Sequence, residues 1–170
     1  MEERAPTRVT YVSDTVGSDD SEDEVPTVVN HIGLCVRELE RSRRFYQEVL
    51  GFEPDREMTL PDDATADFLA VARPVNLTAV YLTRGAVVLE LLHFDRPDNP
   101  EPSGERVFNE PGLTHLSFSV ADLDASVAAV KAAGGEVVTA MPGMAAVVRD
   151  PDGQLLELLP MAYARRLGRA

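Results

Sequence analysis

The chain has 170 residues, 44% hydrophobic and 26% charged, with a formal net charge of −13. That is one domain of ordinary globular composition, and its acidity argues against nucleic acid or an anionic membrane as partner, since both demand a basic face. Apolar runs are too short to span a bilayer and the N-terminus lacks a basic-then-apolar signal. Cys35 is the sole cysteine, which excludes an intrachain disulfide, so the expectation is a soluble cytoplasmic protein.

Residues 1–25 include "SDDSEDE" and little that builds a core. Like charges at that density repel and stay solvated, so this stretch reads as a disordered acidic tail, with the folded body starting near Pro26. From His31 a short alternating strand follows, with Ile32, Leu34 and Val36 on one face and His31, Gly33 and Cys35 on the other. A helix succeeds it through Leu39, Phe45, Tyr46, Val49 and Leu50, and Gly51 stops it. Residues 54–77 read as loop-rich, with a short apolar segment. "LELL" at 89–92 is a strand, and the Pro- and Asp-rich 93–112 holds a connector at about 95–111.

From His115 the pattern returns. His31 maps on His115 at an offset of 84, and Val36, Leu39 and Ser42 then fall on Val120, Leu123 and Ser126. The second strand has Leu116, Phe118 and Val120 on one face and His115, Ser117 and Ser119 on the other. Asp122 is placed to cap the following helix, and Gly134-Gly135 ends it. "RDPDGQLLELLP" reads as a hairpin turning at Asp152-Gly153, whose last strand repeats "LELL" at 156–159. Residues 161–170 read as a C-terminal tail, whose short basic "ARRLGR" at 164–169 reads as solvated.

Each half thus carries a histidine on its first strand and a glutamate on its last, Glu90 and Glu157. If the faces away from the helices line one cavity, two His and two Glu meet. Neutral imidazoles and carboxylates form a mixed N/O set suited to one divalent ion of Zn, Ni, Co, Mn or Fe. A lone strand histidine is ordinarily structural, but recurrence at matched positions favours a ligand role. The ordinary alternative for a buried strand glutamate is a salt bridge to arginine. His93, on the opposite face from Glu90, reads as surface or structural, Cys35 as a small buried apolar residue, and "DPDG" as a turn rather than a metal loop.

"VNHIGLCVRELERSRRFYQEVLGFE", "LELLH", "GLTHLSFSVADLDASVAAVKAAGG" and "VVRDPDGQLLELLP" together resemble the vicinal oxygen chelate superfamily, the glyoxalase, bleomycin-resistance and extradiol-dioxygenase group. The resemblance covers about 27–160 and implies an α+β fold. Two pseudosymmetric βαβββ modules, about 27–94 and 112–160, would form a curved mixed sheet around a metal cavity with helices outside. The family's metal positions match His31, Glu90, His115 and Glu157. Its glyoxalase I-like members imply Glu157 as catalytic base in a lyase or isomerase that moves a proton next to a carbonyl held at the metal. An apolar wall from Val88, Leu92, Leu155 and Leu159 would exclude water there.

Three alternatives stand beside it. A methylmalonyl-CoA epimerase-like epimerase shares the proton transfer, although Thr114 departs from that subgroup's double histidine. An extradiol-type dioxygenase would use His31, His115 and Glu157 around iron, and a bleomycin-resistance-type binding protein would use no metal. The partner expected is a small-molecule substrate. The family's cavities form either within one chain or across a domain-swapped homodimer, and both remain open at this point.

Overall fold

The computed structural model describes residues 27–96 and 106–168. The acidic stretch 1–25 and connector residues 97–105 lie outside the described residues. The first half comprises β1 (Ile32–Cys35), α1 (Leu39–Arg44) continuing as a π-helical turn (Phe45–Val49), β2 (Glu53–Thr59), α2 (Asp62–Leu69), β3 (Leu77–Arg84) and β4 (Val87–Phe94). The second comprises β5 (His115–Val120), α3 (Leu123–Ala132), β6 (Glu136–Met141), β7 (Ala145–Arg149) and β8 (Leu155–Pro160), followed by α4 (Met161–Arg166). Each half builds a four-stranded mixed sheet, ordered β1-β4-β3-β2 and β5-β8-β7-β6. In each, the first strand runs parallel to the last and the remaining pairs are antiparallel. The two βαβββ units are the architecture the repeat implied, and no barrel is closed. Among the described residues no helix is long and apolar enough to cross a membrane.

Strand alternation decides what each face does. On β1 and β4, Leu34, Leu89 and Leu91 are buried while His31, Gly33 and Cys35 are exposed on the other side. The apolar faces of both halves merge into one core, in which Phe45, Tyr46, Leu89 and Leu91 join Val130, Val148 and Leu156. Phe52 and Phe118 meet edge-on across the halves at 6.1 Å between ring centroids. Each fully buried leucine in such a core contributes about 1.5–3 kcal/mol.

Local chemistry ends the helices as the sequence indicates. The Asp122 carboxylate accepts from Ala125 N at 2.9 Å, capping α3. Gly51 sits at φ 69° after the π-helical turn, donating to Gln47 O at 3.0 Å. The β7–β8 turn has Gly153 at φ 89° and also joins the halves. Its Asp152 accepts from Arg41 Nη2 at 2.6 Å, Ser42 Oγ at 2.6 Å and Arg37 N at 3.1 Å. Asp150 accepts from Tyr46 Oη at 2.7 Å and from the backbone N–H groups of Asp152 and Gln154. Burial, foremost, and the nearby Asp152 push Asp150 above its ordinary value, against the pull of those hydrogen bonds. Burial and then Asp150 push Tyr46 well above 10.0.

Three expectations need correction. Residues 54–77 are not chiefly loop but hold edge strand β2 and helix α2 over a small core of Ala66, Val75 and Leu77. There the Asp62 carboxylate accepts from Val75 N and Asn76 N, bonds that hold it below its ordinary value. The stretch after Pro160 is not simply a tail but opens with α4, which packs on β5 and β8 while Arg165 and Arg166 stay exposed, as the solvated reading has it. Cys35 is exposed rather than buried, because it shares the open face of β1 with His31. Partial burial and then Asp152 raise its thiol above 9.0.

Candidate functional site

The open face of the first sheet carries one row of side chains. Register sets Gly33 and Tyr81 on either side of Glu90, and Arg56 beyond Tyr81. His31, two residues before Gly33, brings Nε2 to 3.1 Å from Glu90 Oε2. The Tyr81 hydroxyl donates to Glu90 Oε1. Tyr81 also meets His31 edge-on at 5.7 Å and lies 4.1 Å from the Arg56 guanidinium carbon. Glu90 is only 9% exposed, so these contacts are what make a carboxylate tolerable there. Burial, then the bond to Glu90, raises the Tyr81 phenol above 10.0, and Arg56 acts against that rise.

The second sheet repeats the row with different neighbours. Ser117 and Val147 flank Glu157, and Thr139 follows Val147. His115 Nε2 stands 3.9 Å from Glu157 Oε2, which also accepts from Ser117 Oγ at 2.7 Å. Thr114 Oγ1 lies 2.9 Å from His115 Nδ1, and the Phe108 ring lies 4.7 Å from the His115 ring. With Nδ1 engaged, Nε2 is the nitrogen left toward Glu157.

His31, Glu90, His115 and Glu157 are therefore brought together as two His–Glu pairs, one per sheet. Among the described residues no group of three or more His, Cys, Asp or Glu is gathered closely enough to hold an ion. The apolar faces occupy the space between the halves, which leaves the pairs on the sheet faces outside that core. Each pair nonetheless fits a divalent ion. Two ligand atoms at about 2.0–2.2 Å from one metal stand about 3 Å apart, close to the observed 3.1 Å and within a small side-chain adjustment of 3.9 Å. His93 is half-buried on another row, with Nδ1 3.4 Å from Val36 O. A cavity of about 990 Å³ beside the β7–β8 turn adjoins both rows, lined by Gly33 and Cys35 of β1, by Thr114 and by Arg106, Asp152 and Gln154, although none of the four residues is itself in its lining.

Reading the sequence assigned no role in the site to Tyr81, Arg56, Ser117 or Thr114. A signal existed for two of them. Tyr81 lies as far before the Gly85-Ala86 turn as Glu90 lies after it, and a hairpin pairs such residues. Ser117 is the repeat partner of Gly33. Arg56 sits beyond a register shift between Pro54 and Arg56, which counting along the chain does not reveal.

The profile of the Glyoxalase/Bleomycin resistance protein/Dioxygenase superfamily matches residues 28–158. The chain is similar to the mitochondrial methylmalonyl-CoA epimerase of Bos taurus, 26% identical over 103 residues that cover 61% of this chain and 52% of that protein. It thus spans about half the length of that relative. It is also similar to lactoylglutathione lyase of Pseudomonas aeruginosa, 29% identical over 153 residues, 84% of this chain and 87% of that one. In fold it is similar to a glyoxalase family protein from Bacillus cereus, with a TM-score of 0.70 at 16% identity, covering 82% of this chain and 98% of that one.

Proposed function

Since the chain belongs to the glyoxalase/bleomycin resistance protein/dioxygenase superfamily, we propose that it is a metal-dependent, glyoxalase I-like lyase or isomerase acting on a small molecule in the cytoplasm. The observation that supports this reading is the recurrence of one His–Glu pair on equivalent rows of both sheets, 3.1 Å apart in the first and 3.9 Å apart in the second. His31, Glu90, His115 and Glu157 would hold one divalent ion of Zn, Ni, Co, Mn or Fe. Such an ion, when bound, supplies a Lewis acid that draws electron density from a substrate carbonyl oxygen. The pairs lie on separate sheets, so the quartet assembles when the first half of one copy faces the second half of another, which makes the working unit a homodimer.

The residues divide the remaining tasks. Glu157 takes the proton from the carbon beside the carbonyl and returns it. Its side chain is 31% exposed against 12% for Glu90, so it is the more accessible of the two carboxylates. Ser117 holds one of its oxygens, and Thr114 fixes the ring of His115. Val88, Leu92, Leu155 and Leu159, each two residues from a glutamate along β4 or β8, would exclude water.

The similarity to an epimerase favours a second reading, in which the same proton transfer inverts a carbon next to a thioester carbonyl. Metal content per chain, compared with His115→Ala and Glu157→Gln, tests the site. Near-stoichiometric metal lost in both variants supports it, and a folded wild type that takes up no added metal overturns it. Turnover of a hemithioacetal against epimerisation of an acyl-CoA then separates the two reactions.

A further inference from the structure

The two rows place their hydrogen-bond donors differently. In the second, Ser117 donates to Oε2 of Glu157, the same oxygen that lies nearest His115. In the first, the donor is on the far side: Tyr81 engages Oε1 of Glu90 and leaves Oε2 beside His31. Gly33, at the place of Ser117, brings no hydroxyl to Oε2. Val147, at the place of Tyr81, offers Glu157 no donor.

We propose that Tyr81 is a positioning residue for the metal centre, holding Oε1 of Glu90 so that Oε2 and His31 Nε2 form a preset two-point ligand edge. The Arg56 guanidinium over the Tyr81 ring draws electron density from the phenol and strengthens its donation to the carboxylate. His31, meeting the Tyr81 ring edge-on, is held by the same side chain. One residue thereby orients both side chains of the first half, and Glu90 would offer an ion Oε2 alone. This inference rests on the metal reading above and adds to it what fixes the first pair.

The test is Co²⁺ binding to the full chain, followed by the visible absorption of the bound ion, in wild type, Tyr81→Phe, Arg56→Gln and Glu90→Gln. Tyr81→Phe keeps the ring and its packing. The expected result is affinity weaker by about tenfold, as for loss of an outer partner of a metal ligand, together with an altered absorption spectrum as Glu90 turns to bind through both oxygens. Arg56→Gln, at an exposed side chain, is expected to weaken binding about twofold to fivefold. Glu90→Gln should abolish tight binding. A Tyr81→Phe protein with wild-type affinity and spectrum, while Glu90→Gln fails to bind, overturns the role of Tyr81 and leaves the metal site standing. A wild type that binds no Co²⁺ overturns the metal site itself. If Tyr81→Phe does not fold, Arg56→Gln decides alone, and no change in its affinity or spectrum overturns the inference.

Discussion

Arg41 and Asp152 are 111 residues apart in sequence and 2.6 Å apart in space. Through this pair the first helix of one half is fastened to the last hairpin of the other. Asp152 is 7% exposed in its side chain and also serves Ser42 and the Arg37 N–H, so three donors converge on one carboxylate.

Asp152→Ala leaves those donors without their carboxylate, although the Arg41 side chain, 37% exposed, can turn to water. The expected loss is about 1–3 kcal/mol of folding free energy, the range for leaving hydrogen-bond donors without a charged acceptor. Urea denaturation with an unchanged slope and an earlier midpoint is the expected record. A change below about 0.5 kcal/mol, the level of an ordinary surface substitution, would show that the halves are held by the apolar core alone.

Asp150 and Tyr46 give the same interface a pH dependence. Burial raises Asp150 above its ordinary 3.8 in the fold. A raised carboxyl stabilises the fold fully below the unfolded value, and that contribution is lost as pH rises through the folded value. Asp150→Asn keeps an oxygen for the N–H groups of Asp152 and Gln154 but removes the ionisation. The stability of wild type relative to this variant should therefore fall as pH rises from about 3 and level off once the raised carboxyl has ionised. A flat difference across that window would show that Asp150 is not destabilised by its surroundings. Tyr46, also raised, adds a separate loss only at alkaline pH, above 10.0.

Histidine variants test where the quartet forms. His31→Ala and His115→Ala should each abolish metal binding. If each site joins halves of two chains, unfolding and refolding an equal mixture restores one intact site in every mixed dimer, about a quarter of the wild-type content per chain. No recovery in a mixture shown to contain mixed dimers would mean that each site forms within one chain.

Cys35 is exposed yet its thiol lies above 9.0, so it should react with an alkylating reagent without denaturant but more slowly than a free thiol at the same pH. Asp152→Asn removes the second cause of the shift and should speed the reaction. A rate equal to that of an unfolded control would contradict the effect of the local environment.

Most of the fold was legible because the two halves repeat. An offset read from His31 and His115 located both first strands and both helices, and "LELL" located both last strands. Strand β2 escaped because all seven of its residues are exposed, so it has no alternation, and its conformation comes from pairing with β3. Helix α2 escaped as a short element whose apolar residues serve a small separate core, although Asp62 and Asp63 mark its first turn. The members of each His–Glu pair were legible because strand parity fixes a side chain's face. Their separation into two pairs was not, since it depends on which sheet faces pack together, and parity within a strand does not specify that.

The appendage between β2 and β3 rests on its own nucleus of Ala66, Val75 and Leu77, apart from the principal core. A duplicated protein has one copy of each part to conserve and one to remodel. Here the second half has no counterpart of α2, and a short turn takes β6 straight into β7. Substitutions in that small nucleus should therefore loosen the appendage well before they loosen the framework that keeps both halves in step.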